Sequence, residues 1–182
     1  KSLKPSVSGE AEMDAEEFEQ ISDDLPHMFS SLFEGLQRID GIVGSLRTFS
    51  RHDESSIKTT PVAENIQSTL GLVRQKLDEK HITVELGEEV QQLPAIECFP
   101  ADLNQVFLNL IVNAIKAMEN GGKLSIDGHT MDGDGIELTF ADTGCGMETE
   151  VAERIFDPFF TTRQVGEGTG LGLSISHDII VN

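Results

Sequence analysis

The chain has 182 residues, with 13 Lys and Arg against 32 Asp and Glu, and a formal net charge of −19 at pH 7. This length allows one full hydrophobic core with an appendage, but not two large domains. The negative charge argues against a surface for nucleic acid or for an anionic membrane. The sequence has no apolar run long enough to cross a bilayer and no signal-peptide pattern at its start, so we expect no membrane contact by this chain.

The two cysteines, Cys98 and Cys145, are far apart in the sequence and lack the spacing of metal ligands. We expect both to be reduced thiols, as is usual in the cytoplasm.

The first part of the chain predicts a linker followed by a long helix. Residues 1–20 combine Pro5 and Gly9 with a string of acidic residues, which predicts a solvated linker or a disordered segment. In residues 21–56 the apolar spacings alternate between four and three for three heptads, which predicts a helix packed in a bundle or coiled coil. A dimer bundle is the favoured interpretation, and a core helix packing on its own domain is the alternative. The apolar positions are Leu25, Phe29, Leu32, Leu36, Ile39, Val43 and Leu46.

Residues 57–182 predict an α+β domain. Thr60-Pro61 opens a second helix, and residues 81–86 and 93–96 are predicted strands. A long helix over 101–118 is expected to end at Gly121-Gly122. Residues 123–127 and 135–141 are predicted to pair as strands, and a final helix is predicted over 171–181. Helices combined with a largely antiparallel sheet give a two-layer α+β sandwich. The buried stripe predicted for the second helix is Ile66, Leu70, Val73 and Leu77.

Polar side chains share one face of the predicted helix 101–118. Gln105, Asn109, Asn113 and Lys116 are separated by four, four and three residues. Asparagine oxygens can coordinate a Mg²⁺ ion that bridges phosphate oxygens, and Lys116 can reach a phosphate as a point charge. Asn113 and Asn109 are therefore the candidate magnesium ligands. The alternative is the ordinary exposed face of an amphipathic helix.

Asp142 follows a predicted strand and precedes Gly144 and Gly146. A carboxylate at this point can accept a hydrogen bond from the exocyclic amine of adenine, whereas guanine presents a carbonyl there. The two glycines allow close approach of the backbone and unusual φ values. An ordinary turn is the alternative interpretation of this segment.

A cluster of phenylalanines and a glycine-rich stretch follow. We interpret the segment with Phe156, Phe159 and Phe160 as a hydrophobic latch that carries polar residues toward the phosphates; a core plug is a compatible alternative. The glycine-rich stretch leads directly into the last helix, where backbone N–H groups and the helix dipole can bind phosphate. Between Phe160 and Gly168 we predict a short mobile lid with Arg163 as its only cation. The predicted ligand-binding residues of both segments are Phe160, Thr161, Thr162, Arg163, Gly168, Thr169, Gly170, Leu171 and Gly172.

In this order, the four motifs resemble those of the ATP-binding domain of two-component sensor histidine kinases. The segment from Asn109 to Lys116 is similar to the family's N box, and the segment from Asp142 to Gly146 to its first glycine box. Residues 156–160 resemble its phenylalanine box, and residues 168–172 its second glycine box. The likeness spans about residues 60–181, and residues 24–51 look like the second helix of the family's dimerisation and phosphoacceptor hairpin.

The resemblance implies a Bergerat-type fold that binds ATP with Mg²⁺ between the sheet and a lid. It implies transfer of the γ-phosphoryl group to a histidine on the bundle, for relay to an aspartate of a response-regulator receiver domain. It also implies a homodimer through the helical hairpin and a cytoplasmic location, and leaves open an inner-membrane anchor in the parent protein.

The sequence also departs from the family pattern. The family's phosphoacceptor motif, a histidine followed by an acidic residue and then by Asn-Pro, is absent. We therefore expect no self-phosphorylation, and we expect the first hairpin helix and the closing strands to lie outside this chain. Arg163 stands where lysine is usual, which keeps the charge but changes its geometry. The five histidines that lack the motif are His27, His52, His81, His129 and His177.

Three rival functions are compatible with the predicted fold. The first is that of ATPase clamps of the topoisomerase, mismatch-repair and chaperone type, which place a glutamate general base where Asn109 stands. An amide cannot take up a proton, so attack by water should be slow here. The second is that of a related protein-serine kinase, and the third is that of a non-catalytic dimerisation module that binds nucleotide.

Overall fold

The computed structural model describes residues 56–132, 135–163 and 168–181. The predicted linker and almost all of the predicted bundle helix lie outside the described residues, so both stay predictions. The described elements, in chain order, are strand β1 Lys58–Thr60, helix α1 Val62–Glu79, strand β2 Ile82–Leu86, a 3-10 helix Glu88–Gln92, strand β3 Ile96–Cys98, helix α2 Pro100–Ala117, strands β4 Gly122–Thr130 and β5 Ile136–Asp142, the short helix α3 Thr149–Ala152, and helix α4 Gly172–Val181.

The main sheet of the described residues has the strand order β2-β4-β5. Strand β2 runs parallel to β4, and β4 runs antiparallel to β5. Strands β1 and β3 form a separate antiparallel pair. The predicted α+β fold is confirmed, with a parallel pair as part of a mixed sheet. The register of β4 and β5 sets Asp142, the last residue of β5, opposite Leu124.

One face of the sheet packs on the helices. Along β4, Leu124 and Ile126 are fully buried whereas Lys123 and Asp127 are exposed, which is the alternation expected of a strand with one solvated face. Phe107 of α2 lies against the sheet, with its ring centroid 5.8 Å from that of Phe140. The other large side chains that are fully buried among the described residues are Ile66, Ile111, Met118, Val62, Val90 and Thr69.

The observed elements differ from the predicted ones at short segments. The strand predicted at 93–96 lies at Ile96–Cys98, and residues 88–92 form a 3-10 helix that buries Val90. Pro94 has no N–H to donate to a strand partner, so pairing begins after it. Strand β1 was not predicted, because three residues are too few to show a period. Of the predicted stripe on α1, Ile66, Val73 and Leu77 are buried and Leu70 is partly buried.

Within the described ranges, we find no helix whose length and hydropathy would suit a bilayer span.

Candidate functional site

Helix α2 is the central element of the site. It begins at Pro100, whose fixed φ suits the first helical position. Leu103, Phe107 and Ala114 are buried in the core, so the neighbouring polar face is turned away from it. On that face Asn109 and Asn113 are partly buried and Lys116 is exposed. The predicted common face of these residues is therefore present.

One end of this face is joined to the start of α4. The Asn109 amide nitrogen donates to the Gly172 carbonyl at 2.8 Å and to the Ser176 hydroxyl at 3.0 Å. The Asn109 carbonyl oxygen accepts from the Gln105 side chain at 3.0 Å. The glycine-rich segment thus reaches α2 at the position of the first predicted magnesium ligand.

Asn113 has different surroundings from Asn109. It lies one turn further along the same face, and its side chain makes no hydrogen bond to the part of the chain that the structure describes. Its amide oxygen is therefore available to a ligand without breaking a contact there.

The other end of α2 is joined to the loop after β5. The Gly144 N–H donates to the Asp142 carboxylate at 2.8 Å, and the Cys145 N–H donates to the Ala117 carbonyl at 3.2 Å. A methyl group built on Gly144 would lie 2.7 Å from Cβ of Ala117, so only glycine allows this approach. Gly146 favours glycine for another reason. Its φ is +66°, a conformation that other residues rarely adopt, although a Cβ added there would have no atom within 4 Å.

Two residues that sequence reasoning did not select support this end of the helix. Lys80 donates from Nζ to the carbonyl of Ile115 at 3.1 Å and lies 3.5 Å from that of Met118. A cation at the C-terminal carbonyls of a helix is favourable because it satisfies them and opposes the helix dipole. Thr143 holds the loop to β4, because its hydroxyl accepts from the Lys123 N–H at 2.9 Å.

The phenylalanine-rich segment is only partly covered. Phe156 and Phe159 are 49% and 69% exposed, so these two side chains do not form a core plug. The Phe156 ring contacts the His177 ring in a tilted arrangement, with centroids 5.0 Å apart and an interplanar angle of 44°. The Arg154 guanidinium lies 4.3 Å above the Phe160 ring, a cation–π contact.

The phenylalanine-rich segment is also attached to the glycine-rich segment. The Phe159 N–H donates to the Gly170 carbonyl at 3.0 Å. Phe159 and Gly170 both have φ of +66°, and a Cβ on Gly170 would overlap the Phe159 backbone. The two segments are therefore in direct backbone contact.

The remaining predicted residues flank residues 164–167, which lie outside the described ranges. Thr161 and Thr162 are exposed, and Arg163 is partly buried. A Cβ built on Gly168 would lie 3.2 Å from the Thr161 hydroxyl and 3.7 Å from Cδ of Arg163, so the two sides of this gap approach each other. The predicted mobility of the lid stays a prediction.

The amide oxygens on the polar face of α2 suit a magnesium ion. The described residues contain no group of three His, Cys, Asp or Glu that could hold a metal ion. Magnesium keeps several waters and is commonly bound through one or two protein oxygens together with phosphate oxygens. The amide oxygens of Asn113 and Asn109 suit that pattern.

Cys98 and Cys145 are both free thiols.

Comparison with known proteins identifies the family. The family described as "Histidine kinase-, DNA gyrase B-, and HSP90-like ATPase" matches residues 99–182. Sensor histidine kinase ZraS of Escherichia coli K12 is 32% identical over 143 residues, 79% of this chain and 30% of ZraS. The solved catalytic domain of histidine kinase ThkA is 31% identical with a TM-score of 0.59, over 69% of this chain and 80% of that domain. The chain belongs to the ATP-binding domains of two-component sensor histidine kinases.

The family assignment covers a part of larger proteins. Sporulation kinase E of Bacillus subtilis is 28% identical over 160 residues, which are 88% of this chain and 21% of that kinase. The chain thus spans less than a third of the length of ZraS and of sporulation kinase E. Membership in this family accounts for the occurrence of the four motifs in one chain.

Proposed function

We propose that this domain holds the adenine at the Asp142 end of α2 and the phosphates at the Gly172 end. The observation that supports this most is that both segments contact the same helix, at Ala117 and at Asn109. These positions are eight residues apart, which is about 12 Å along a helix axis. That length suits an extended nucleoside triphosphate lying along the polar face.

In this arrangement each residue has a distinct role. The Asp142 carboxylate accepts a hydrogen bond from the adenine amine. Asn113, about 6 Å along the helix axis from both ends of the site, offers its amide oxygen to Mg²⁺, with Asn109 as the second predicted oxygen ligand. Arg163 supplies positive charge near the phosphates of a strongly acidic chain. Lys116, one turn beyond Asn113, reaches toward the phosphates with its long side chain as a point charge. Backbone N–H groups of residues 168–172 bind phosphate oxygens at the start of α4.

We further propose that the parent protein transfers the γ-phosphoryl group to a histidine of a dimerisation hairpin. The group then passes to an aspartate of a response-regulator receiver domain. Histidine kinase ThkA has been solved in complex with response regulator TrrA, which supports a partner of this kind. Since Asn109 cannot act as a general base, the bound ATP should not be hydrolysed rapidly by water.

The remaining parts of the proposal concern the parent protein. Residues 21–56 would form the second hairpin helix and make the homodimer contact, and the domain would work in the cytoplasm. These parts follow from the heptad pattern and from the family.

Radiolabelled ATP tests the proposal directly. We expect this chain with Mg²⁺ and labelled ATP to remain unlabelled, and to label a separately supplied hairpin that carries the histidine motif. The label should be lost in acid, as expected of a phosphohistidine. Release of phosphate without transfer would favour an ATPase clamp, and an acid-stable label would favour a serine kinase. Nucleotide binding with neither transfer nor hydrolysis would favour the non-catalytic module.

A further inference from the structure

Ser176 joins the first turns of α4 to α2. Its side chain is buried, at 5% exposure. The hydroxyl donates to the Gly172 carbonyl at 2.9 Å and accepts from the Asn109 amide nitrogen at 3.0 Å. The same nitrogen donates to the Gly172 carbonyl at 2.8 Å. The Asn109 amide nitrogen, the Ser176 hydroxyl and the Gly172 carbonyl are therefore hydrogen-bonded to one another, and both N–H donors of Asn109 are used.

Ser174 offers a comparison within the same helix. It is 6% exposed, and its hydroxyl donates to the Leu171 carbonyl at 3.0 Å. A serine that bonds a carbonyl in the preceding turn is common in helices and by itself indicates nothing about function. Both serines make such a bond. Ser176 differs because its hydroxyl also accepts a hydrogen bond from another helix.

We propose that Ser176 is a positioning residue for the phosphate end of the nucleotide site, acting through Asn109. Its hydroxyl fixes the orientation of the Asn109 amide and joins the start of α4 to the helix that carries Asn113. The N–H groups that receive phosphate therefore keep a fixed distance from the predicted magnesium ligand. This inference rests on the proposed function.

The test compares Ser176→Ala with Ser174→Ala. Each variant removes one buried hydroxyl of similar exposure from the same helix. Ser176→Ala also removes the hydrogen bond from Asn109, so affinities are compared at a temperature at which a thermal melt shows both variants to be folded. The dissociation constants of a non-hydrolysable ATP analogue with Mg²⁺ and of AMP are measured for each, by calorimetry and by competition. We expect Ser176→Ala to weaken the ATP analogue on the order of tenfold, the effect of losing one buried hydrogen bond, and to leave AMP unchanged. Ser174→Ala should bind both ligands as the unsubstituted chain does.

The role through Asn109 is tested by a double variant. If Ser176 acts through Asn109, then Asn109→Ala combined with Ser176→Ala should bind the ATP analogue no more weakly than Asn109→Ala alone. Three results would overturn the proposal. The two serine substitutions could weaken binding of the ATP analogue equally, or Ser176→Ala could weaken AMP as much as the ATP analogue. The losses of affinity from Asn109→Ala and Ser176→Ala could also simply add in the double variant. Should Ser176→Ala not fold, Ser176→Cys replaces it, because a thiol is only a weak hydrogen-bond acceptor; this variant must weaken the ATP analogue while sparing AMP.

The same measurements distinguish failure of the proposed function from failure of the role of Ser176. A chain that binds neither nucleotide before any substitution contradicts that function. A chain that binds both and tolerates Ser176→Ala contradicts only the role of Ser176.

Discussion

Replacing Gly144 by alanine should displace the loop that we propose to recognise the base. The added methyl would lie 2.7 Å from Cβ and 2.8 Å from the carbonyl carbon of Ala117. Non-bonded carbon atoms prefer about 3.5–4.0 Å, and a helix backbone does not yield easily. The loop would therefore have to move outward by about 1 Å. It carries the bond from the Gly144 N–H to Asp142 and the bond from the Cys145 N–H to Ala117.

The expected loss follows from those two hydrogen bonds. Each hydrogen bond contributes about 0.5–1.5 kcal/mol net to the stability of the loop conformation. If the shift breaks both bonds and moves Asp142, ATP binding should weaken by about tenfold to a hundredfold. The residues on both sides of Gly144 in the loop are exposed, so the melting temperature should change little. Calorimetry with a non-hydrolysable ATP analogue measures the affinity, and a thermal melt checks the fold.

Gly146→Ala is the matched control in the same loop. Gly146 has φ of +66° with no atom within 4 Å of an added methyl group. That substitution introduces backbone strain of about 1–2 kcal/mol but no overlap with α2. Combining Gly144→Ala with Ala117→Gly removes the nearest methyl and should restore part of the affinity. A folded Gly144→Ala protein with unchanged affinity would refute the close contact as the reason for glycine.

Three further substitutions test other parts of the site, and a fourth, Gly71→Ala, is a control outside it. Asp142→Asn should weaken ATP binding and reduce discrimination against GTP, because an amide can donate to the guanine carbonyl; unchanged affinities for both would contradict base recognition. Asn113→Ala should make affinity independent of magnesium, so titrations with Mg²⁺ and with chelator should agree; a retained difference would place the ion elsewhere. Gly170→Ala should lower the melting temperature and ATP affinity because the methyl overlaps the Phe159 backbone, whereas Gly71→Ala, in open space on α1, should stabilise by about 0.5–1 kcal/mol.

The sequence predicted α2 well because the pattern is long. Eighteen residues give several turns, so both the buried side at Phe107 and the polar side at Asn109 and Asn113 could be recognised. Strands β1 and β3 have three residues each, which is too short for a period of two to be distinguished from chance. Boundaries near Pro94 were therefore predicted less well than the helix.

The contacts between segments could not be predicted from local patterns. Asn109 and Ser176 are 67 residues apart in the chain, and nothing about Ser176 alone distinguishes it from Ser174. In the sequence, nothing distinguishes Lys80 from other lysines near the end of a helix. Its role depends on the position of the last turn of α2, which only the fold defines. The polar face predicted a place for a ligand, and tertiary contacts determine which residues support that face.

Both ends of the proposed site are attached to one helix, so substitutions at one end should not change ligand binding at the other. A helix rises 1.5 Å per residue and is stiff over two turns, so a change at Ala117 should not propagate to Asn109. Variants at Gly144 should therefore weaken AMP and ATP by the same factor, since both ligands carry the base. Variants at Ser176 should weaken only the ligand with three phosphates. If both sets of variants affected AMP and ATP alike, α2 would not be acting as a rigid support, and the two ends of the site would have to be treated as one coupled unit.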